Sequence, residues 1–227
     1  MSKGKGKDDL DWAGDASDEP EYSEEQRATL EHLYRMVQRR LSIKPRRLGH
    51  SRGVARCARR LASSHGVDPF LAEAAGILHD WDKILTPEQL WAKVDEHGIR
   101  VSSRDERMAP VLHGMTAAAS LSRELDLPAP VFQAIARHTL GAPDMTPLDI
   151  VVYCSDMLEP GRGEKMDGLR RFGRGELPAL FAVCAQSTMA HLIGSGRYVS
   201  VESVATWNAC CADLPADAVM GSKRSSR

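Results

Sequence analysis

The octapeptide ILHDWDKI, Ile77 to Ile84, places a histidine, two acids and a lysine beside residues typical of a hydrophobic core. It continues the small, apolar run AEAAGIL, whose residues allow close packing and predict a helix buried on much of its circumference. An ionised carboxylate is unfavourable in such a place unless it meets a cation or several hydrogen-bond donors. The pair His79 and Asp80 therefore predicts a cation or hydrogen-bond donors inside the core.

The segments on either side of this stretch have the apolar period of helices. One face of the upstream segment carries apolar residues at helical spacing, and the next segment repeats the pattern: Leu30, Leu33, Tyr34, Val37 and Leu41, then Val54, Cys57, Ala58 and Leu61. Capping residues before a proline mark helix starts at Asp68, Thr86 and Thr146. No convincing strand alternation is found. The sequence predicts an all-α fold, a single helical bundle of roughly seven to nine helices.

The two ends of the chain differ in composition from its middle. Residues 1–22 are poor in apolar groups and hold lysines followed by an acidic cluster, which predicts a disordered tail. The C-terminal sequence GSKRSSR is small and polar, which predicts a flexible tail over residues 214–227. The packed domain is expected over residues 23–213.

Composition also limits the function. Thirty lysines and arginines against 31 acids leave a formal net charge of -1, which argues against a nucleic-acid partner. There is no continuous apolar stretch of about 18 residues and no signal-peptide core, so we expect neither a membrane partner nor secretion but a cytoplasmic protein. The five cysteines contain no C-x-x-C pair, which argues against a disulfide framework and a cysteine zinc site.

Six polar residues fall, by helical period, on the inward faces of their helices. Taken singly, each is more often a hydrogen-bonded core residue, a cap or the partner of an arginine. Taken together, four histidines and two aspartates on five helices are what a dinuclear metal site in a helical core requires: His50, His79, Asp80, His113, His138 and Asp156. Asp80 could bridge two ions while His79 binds one of them. Spacing alone leaves the structural and the metal-binding interpretations equally open.

The order of these six residues resembles that of the HD-domain metallophosphohydrolases. Longer blocks resemble the YqeK-type branch, the symmetrical bis(5'-nucleosyl)-tetraphosphatases, which split diadenosine tetraphosphate into two ADP: RRLGHSRGVARCARRLASSHGVDP, AGILHDWDK, LHGMTAA, IARHTLGAPDMTPLDIVVYCSDMLEPGR and GRYVSVESVATWN. The resemblance covers Pro45 to Asn208. Two positions beside the ligands depart from it: Leu140, where relatives often carry a threonine, and Ser155, where an alanine is common.

The resemblance implies an HD-domain bundle in which the six residues hold two metal ions. Iron is the metal it suggests, although manganese, cobalt and zinc accept the same ligands. Asp80 and Lys83 are then catalytic candidates, with Lys83 near the scissile phosphate and Asp82 orienting Lys83 or a metal-bound water. Thr139, Gly141 and Arg162 are candidates for substrate binding. The alternatives are a surface lysine at Lys83, an exposed loop arginine at Arg162 and a solvated basic cluster at Arg46 and Arg47.

The function expected from this resemblance is hydrolysis of a dinucleoside polyphosphate substrate with ADP as product. An HD-domain nucleotidase or an alarmone hydrolase stays open because the fold does not specify the base. A non-catalytic nucleotide-binding adaptor is the alternative outside the enzymes. Retention of all six ligand positions and of Lys83 favours an enzyme. The residues after EPGR could pack against a second copy, which leaves a homodimer open.

Overall fold

The chain folds as a bundle of α-helices, as the apolar period predicts. The computed structural model describes residues 9–15 and 20–218, and within these residues it contains ten α-helices, several short 3-10 turns and no strand. The helices are α1 Glu24–Arg40, α2 Pro45–Ser64, α3 Pro69–Leu78, α4 Pro87–Glu96, α5 His113–Glu124, α6 Ala129–Arg137, α7 Pro147–Leu158, α8 Asp167–Arg170, α9 Leu177–Gly194 and α10 Val201–Cys210. The all-α prediction is confirmed; the count exceeds the predicted range because α8 is a single turn.

Helix starts lie where the capping residues predict them. Thr86 and Thr146 each form a capping box with the residue three positions on, and the Asp68 carboxylate accepts hydrogen bonds from two backbone N–H groups of the first turn. These caps satisfy donors that have no partner within their own helix. The starts of α3, α4 and α7 are therefore specified locally.

The central helix α3 packs against α1, α2, α6 and α7. Every residue from Ala72 to Leu78 is buried. Gly76 lies against the backbone of α2, where an added Cβ would be 2.9 Å from the Cα of Ala55. This close approach brings the end of α3 beside α2, and both helices carry residues of the candidate site.

Part of the predicted N-terminal tail is packed onto the domain. Leu10 and Ala13 are 3% and 0% exposed, and the Ser64 hydroxyl donates to the Ala13 carbonyl at 2.7 Å. Tyr22 donates to Glu73 at 2.8 Å. The prediction of a disordered tail is therefore wrong for residues 9–15 and for Tyr22, because apolar side chains and polar groups there find partners on the domain. Residues 1–8 and 16–19 lie outside the described residues.

The C-terminal boundary also differs from the prediction. Leu214 and Ala218 belong to the predicted tail but pack against the core, next to short 3-10 turns at Cys211–Asp213 and Ala216–Ala218. Residues 219–227 lie outside the described part of the chain. The domain limits of 23 and 213 are therefore too narrow at both ends.

Helix α9 is the longest strongly apolar element. By length and composition it could cross a membrane, but its buried residues all lie between Leu177 and Ala185, where it packs in the core. Core helices of globular proteins pass the same test. The five cysteines are all free, and four of them are buried.

Candidate metal centre

Five helices bring all six predicted ligands to one place. His50 lies in α2, His79 and Asp80 follow the end of α3, His113 begins α5, His138 follows the end of α6 and Asp156 lies in the last turns of α7. They form three overlapping groups in which the potential ligand atoms lie within 4.8 Å of one another: His50 with His79 and Asp80, His79 with His138 and Asp156, and Asp80 with His113 and His138. The overlap makes these groups one cluster.

Three buried histidines form what we call the inner wall of the cluster. Each places its Nδ1 at hydrogen-bond distance from the carbonyl three residues earlier: His79 to Gly76 at 2.7 Å, His113 to Pro110 at 2.9 Å and His138 to Ile135 at 2.6 Å. A carbonyl only accepts hydrogen bonds, so each Nδ1 carries the proton and each Nε2 keeps a lone pair. The three Nε2 lone pairs therefore stay available for bonding inside the cluster.

The inner wall fits a divalent metal. The Nε2 of His79 is buried without a hydrogen-bond partner, and the Nε2 atoms of His113 and His138 lie only 3.0 Å apart. Two facing lone pairs repel each other unless a cation or a proton is shared between them. Burial, followed by the neighbouring His113 and His79, lowers the pKa of His138 to about 3, which argues against a proton there at neutral pH. Imidazole nitrogens with carboxylate oxygens are a donor set that zinc, iron, manganese and cobalt accept.

The opposite side, which we call the outer wall, consists of His50 and Asp156 with Glu159. The Nδ1 of His50 lies 3.0 Å from a Glu159 oxygen, and its Nε2 lies 2.9 Å from an Asp156 oxygen. The Gly161 N–H donates to the Glu159 carboxylate at 2.6 Å. A carboxylate on the remote nitrogen of a ligating histidine fixes the orientation of its ring and raises its basicity.

Glu159 contacts a candidate ligand, and its sequence pattern did not single it out. It stands at the end of α7 in the EPGR block, and that block was assigned only a helix stop and a candidate arginine. Its position three residues after a predicted ligand was the available signal. Helical spacing does not show that it reaches across to α2.

Electrostatics keep the two carboxylates ionised. Burial raises the pKa of Asp80, but His79 and His113 outweigh burial and hold that pKa below its ordinary value. Burial also raises the pKa of Asp156, but the hydrogen bond with His50 and the positive charge of Arg162 outweigh it and lower that pKa. Burial lowers the pKa of His50, yet its hydrogen bonds to Asp156 and Glu159 prevail and raise that pKa to about 9.

A cavity of about 790 Å³ opens onto the cluster. Its walls come from residues 43–47, at the end of the α1–α2 loop and the start of α2, and from the turn after α7, and they include His50, Asp80 and Asp156. Five cationic side chains line it, namely Lys44, Arg46, Arg47, Lys83 and Arg162. The structure thus places Lys83 and Arg162 at the cluster, and it adds Arg47, which was interpreted as part of a solvated basic group.

Two of these cations, Arg47 and Arg162, contact the site's carboxylates, while Lys83 lies beside an imidazole. The Arg162 guanidinium contacts the Asp156 carboxylate, and its Nε donates to the Asp156 carbonyl at 2.9 Å. Arg47 lies 3.5 Å from an Asp80 oxygen, and the Lys83 Nζ lies 3.3 Å from the His113 Nδ1. Burial lowers the pKa of Lys83, and the charges of Asp80 and Asp156 oppose that shift.

The turn after α3 explains how Lys83 reaches the cavity. The helix does not continue as far as Lys83; backbone bonds from Lys83 to Asp80 and from Leu85 to Asp82 span three residues instead. With about three residues per turn, positions i and i+3 are aligned. Lys83 therefore lies on the same side as Asp80.

Asp82 faces away from the site, contrary to its expected role in orienting Lys83 or a water. It is fully buried and accepts from Arg40 at 3.1 Å and from Lys93 at 2.9 Å. These cations come from α1 and α4. Asp82 therefore ties the turn to the bundle behind the cluster.

Thr139 and Gly141, the other predicted substrate contacts, do not line the cavity. The Thr139 hydroxyl donates to the Val111 carbonyl at 2.9 Å. Gly141 has a φ of 70° and would place a Cβ 2.4 Å from the Thr206 side chain of α10. These contacts pack the α6–α7 turn against its neighbours, and substrate binding by Thr139 and Gly141 stays a prediction.

Comparisons with known proteins agree with this geometry. The HD domain family profile matches residues 47–161. The symmetrical bis(5'-nucleosyl)-tetraphosphatase of Bacillus subtilis is 28% identical over 161 residues, which are 70% of this chain and 86% of that protein. The protein of the same name from Halalkalibacterium halodurans is 26% identical over 166 residues, 71% of this chain and 87% of its own length.

A solved structure has a similar fold. It is a crystal structure described as a predicted HD superfamily hydrolase involved in NAD metabolism from Clostridium acetobutylicum, with a TM-score of 0.74 and 27% identity. The similarity covers 80% of this chain and 96% of that one.

Proposed function

Because the chain belongs to the HD domain family, we propose that it is a metal-dependent phosphohydrolase that splits diadenosine tetraphosphate symmetrically into two ADP. The observation that carries the proposal is the convergence of six histidine and aspartate side chains into one cluster, three of which line a cavity that five cationic side chains also line. The names of the curated relatives support the choice of substrate. A cytoplasmic location belongs to the same proposal.

We propose that the cluster holds two divalent or trivalent metal ions. Asp80 occurs in two of the three ligand groups and is the carboxylate best placed to be shared between ions. Iron is our first candidate, with manganese, cobalt and zinc as the other ions that suit these donors. A bound divalent ion supplies Lewis-acid chemistry, by making water nucleophilic at neutral pH and by offsetting negative charge on phosphate.

The protein's own cationic side chains neutralise part of the negative charge of the substrate. A phosphoanhydride resists attack because its negative oxygens repel the nucleophile, so a catalyst must neutralise charge on the reacting phosphate and on the leaving group. Lys83, which contacts His113 of the inner wall, is proposed to bind the scissile phosphate or the leaving oxygen. Arg47 and Arg162 are proposed to bind the outer phosphates, to which a guanidinium offers paired N–H donors.

A second candidate is a hydrolase of another nucleoside polyphosphate. Among the described residues that line the cavity there is no phenylalanine, tyrosine or tryptophan, and the exposed apolar side chain on its rim is Ile43. Such a cavity favours recognition of phosphates over recognition of one base. An HD-domain nucleotidase or an alarmone hydrolase would satisfy the same geometry.

The test is hydrolysis of diadenosine tetraphosphate by protein stripped of metal and then supplied separately with iron, manganese, cobalt or zinc. Chromatographic separation should find ADP as the only product. ATP together with AMP would refute symmetrical cleavage. A protein that binds metal but leaves this substrate intact would refute the substrate assignment, and other nucleoside polyphosphates would then be screened.

A further inference from the structure

Arg170, in the single-turn helix α8, is a buried cation outside the cavity. It is 9% exposed, and its guanidinium makes four hydrogen bonds. The acceptors are the carbonyls of Leu158 at 2.9 Å, Glu159 at 3.0 Å and Gly163 at 3.0 Å, and an Asp167 oxygen at 2.7 Å. Three of these bonds go to the backbone at the end of α7 and in the turn that follows.

That turn carries part of the outer wall. Glu159 begins it and contacts the Nδ1 of His50, while Arg162 within it contacts the Asp156 carboxylate. The turn's own backbone bonds are short-range, from Arg162 to Glu159 and from Gly163 to Pro160. Arg170 joins both ends of the turn, because it binds the carbonyls of Glu159 and Gly163 together.

The chemistry of Arg170 indicates that this side chain fixes the geometry of the turn and does not serve mainly to bury surface. A buried cation is unfavourable unless its donors are paired, and an apolar side chain of similar size is often as stable in such a position. Here the last carbonyls of α7 carry the negative end of the helix dipole, which suits a guanidinium. Its planar fork directs four bonds at once, which a lysine ammonium on a flexible stem cannot reproduce.

We infer that Arg170 is a positioning residue for the metal centre, acting through Glu159 on His50. It holds the Glu159–Gly163 turn in the conformation that lets the Glu159 carboxylate orient the His50 ring. Its effect on catalysis rests on the proposed function, whereas its effect on metal affinity does not.

The experiment compares Arg170→Lys and Arg170→Gln with Arg171→Gln as the matched control. Arg171 is the next residue, is exposed, pairs with Asp217 and does not line the cavity. Calorimetric titration of metal-stripped protein with Mn²⁺ should show about 10- to 100-fold weaker binding for both Arg170 variants, the size expected when an outer partner of a ligand is disturbed. The control should bind as the unmodified protein does. A lower melting temperature with unchanged Mn²⁺ affinity would refute the inference.

A double-variant cycle tests the route through Glu159. If Arg170 acts by positioning that carboxylate, Arg170→Lys should change Mn²⁺ affinity by less than about twofold in a Glu159→Gln background, because the carboxylate that Arg170 positions is already absent. Additive losses would refute the inference. Should the unmodified protein bind Mn²⁺ but not hydrolyse diadenosine tetraphosphate, the proposed function fails while this cycle still tests Arg170.

Discussion

The inner and outer walls of the metal centre are oriented by different means. On the inner wall each histidine is held by a carbonyl three residues earlier in its own segment. On the outer wall His50 is held by Glu159, which is 109 residues away in the sequence. The inner wall therefore depends on local backbone geometry, whereas the outer wall depends on how α2, α7 and the following turn pack together.

The walls also differ in exposure and charge. His79, His113 and His138 are 0%, 2% and 3% exposed, whereas His50 lines the open cavity. Carboxylates surround His50, while His138 has two other histidines against it. The outer wall is thus the side that a polyphosphate substrate would contact. Substitutions at residues distant in the sequence should also affect this wall.

Asp80→Ala should have the largest effect, because Asp80 contacts both walls. Its oxygens lie 3.1 Å from His113 and 4.0 Å from His50. Removing the carboxylate should lower kcat/KM for diadenosine tetraphosphate by about 10³-fold or more, the scale seen when a central catalytic group is removed. The control is Asp144→Ala, a surface aspartate paired with Arg137. Activity within tenfold of the unmodified enzyme would refute a shared ligand at Asp80.

Glu159→Gln should have the next largest effect and should act on the outer wall alone. An amide keeps the shape of the side chain but loses the charge that favours the His50 N–H, so metal affinity should fall about 10- to 100-fold. Titration with Mn²⁺ measures this, with Glu164→Gln as the control. Equal affinity in the two variants would show that His50 is held in some other way.

Two glycines of α2, about one helical turn apart, provide a matched test of control by Glu159. A Cβ at Gly53 would lie 2.5 Å from a Glu159 oxygen, whereas a Cβ at Gly49 meets nothing within 4 Å. Gly53→Ala should therefore displace the carboxylate and weaken metal binding about tenfold, toward the lower end of such effects. Gly49→Ala should leave binding unchanged and raise the free energy of unfolding by about 0.5–1 kcal/mol, measured by urea denaturation. Identical metal affinities would argue against control by Glu159.

The smallest effect concerns protonation in protein stripped of metal. Nuclear magnetic resonance titration should find the pKa of His50 near 9 and that of His138 near 3. The raised pKa of His50 stabilises the fold below its ordinary value of 6.5, and this contribution is lost as pH rises through about 9. The lowered pKa of His138 acts in the opposite sense, because stability falls as pH drops from 6.5 toward 3. Two pKa values near 6.5 would remove the electrostatic difference between the walls.

Most of the inner wall could be predicted from the chain itself. Helical period placed His113 and His138 on inward faces, and the capping boxes at Thr86 and Thr146 marked helix starts correctly. These features depend on contacts within about four residues, which a linear pattern contains. The N-terminal segment shows the limit of this reasoning, since its polar composition concealed the burial of Leu10 and Ala13.

The sequence was sufficient for the helical class and for the prediction that six candidate ligands share one interior, with Lys83 and Arg162 beside them. The packing of distant segments was needed to place Glu159 on His50, to turn Asp82 toward Arg40 and Lys93, and to commit Thr139 and Gly141 to other contacts. The reason is physical: periodicity specifies which face of a helix is buried, but the partner that a buried polar group meets is set by the arrangement of other helices.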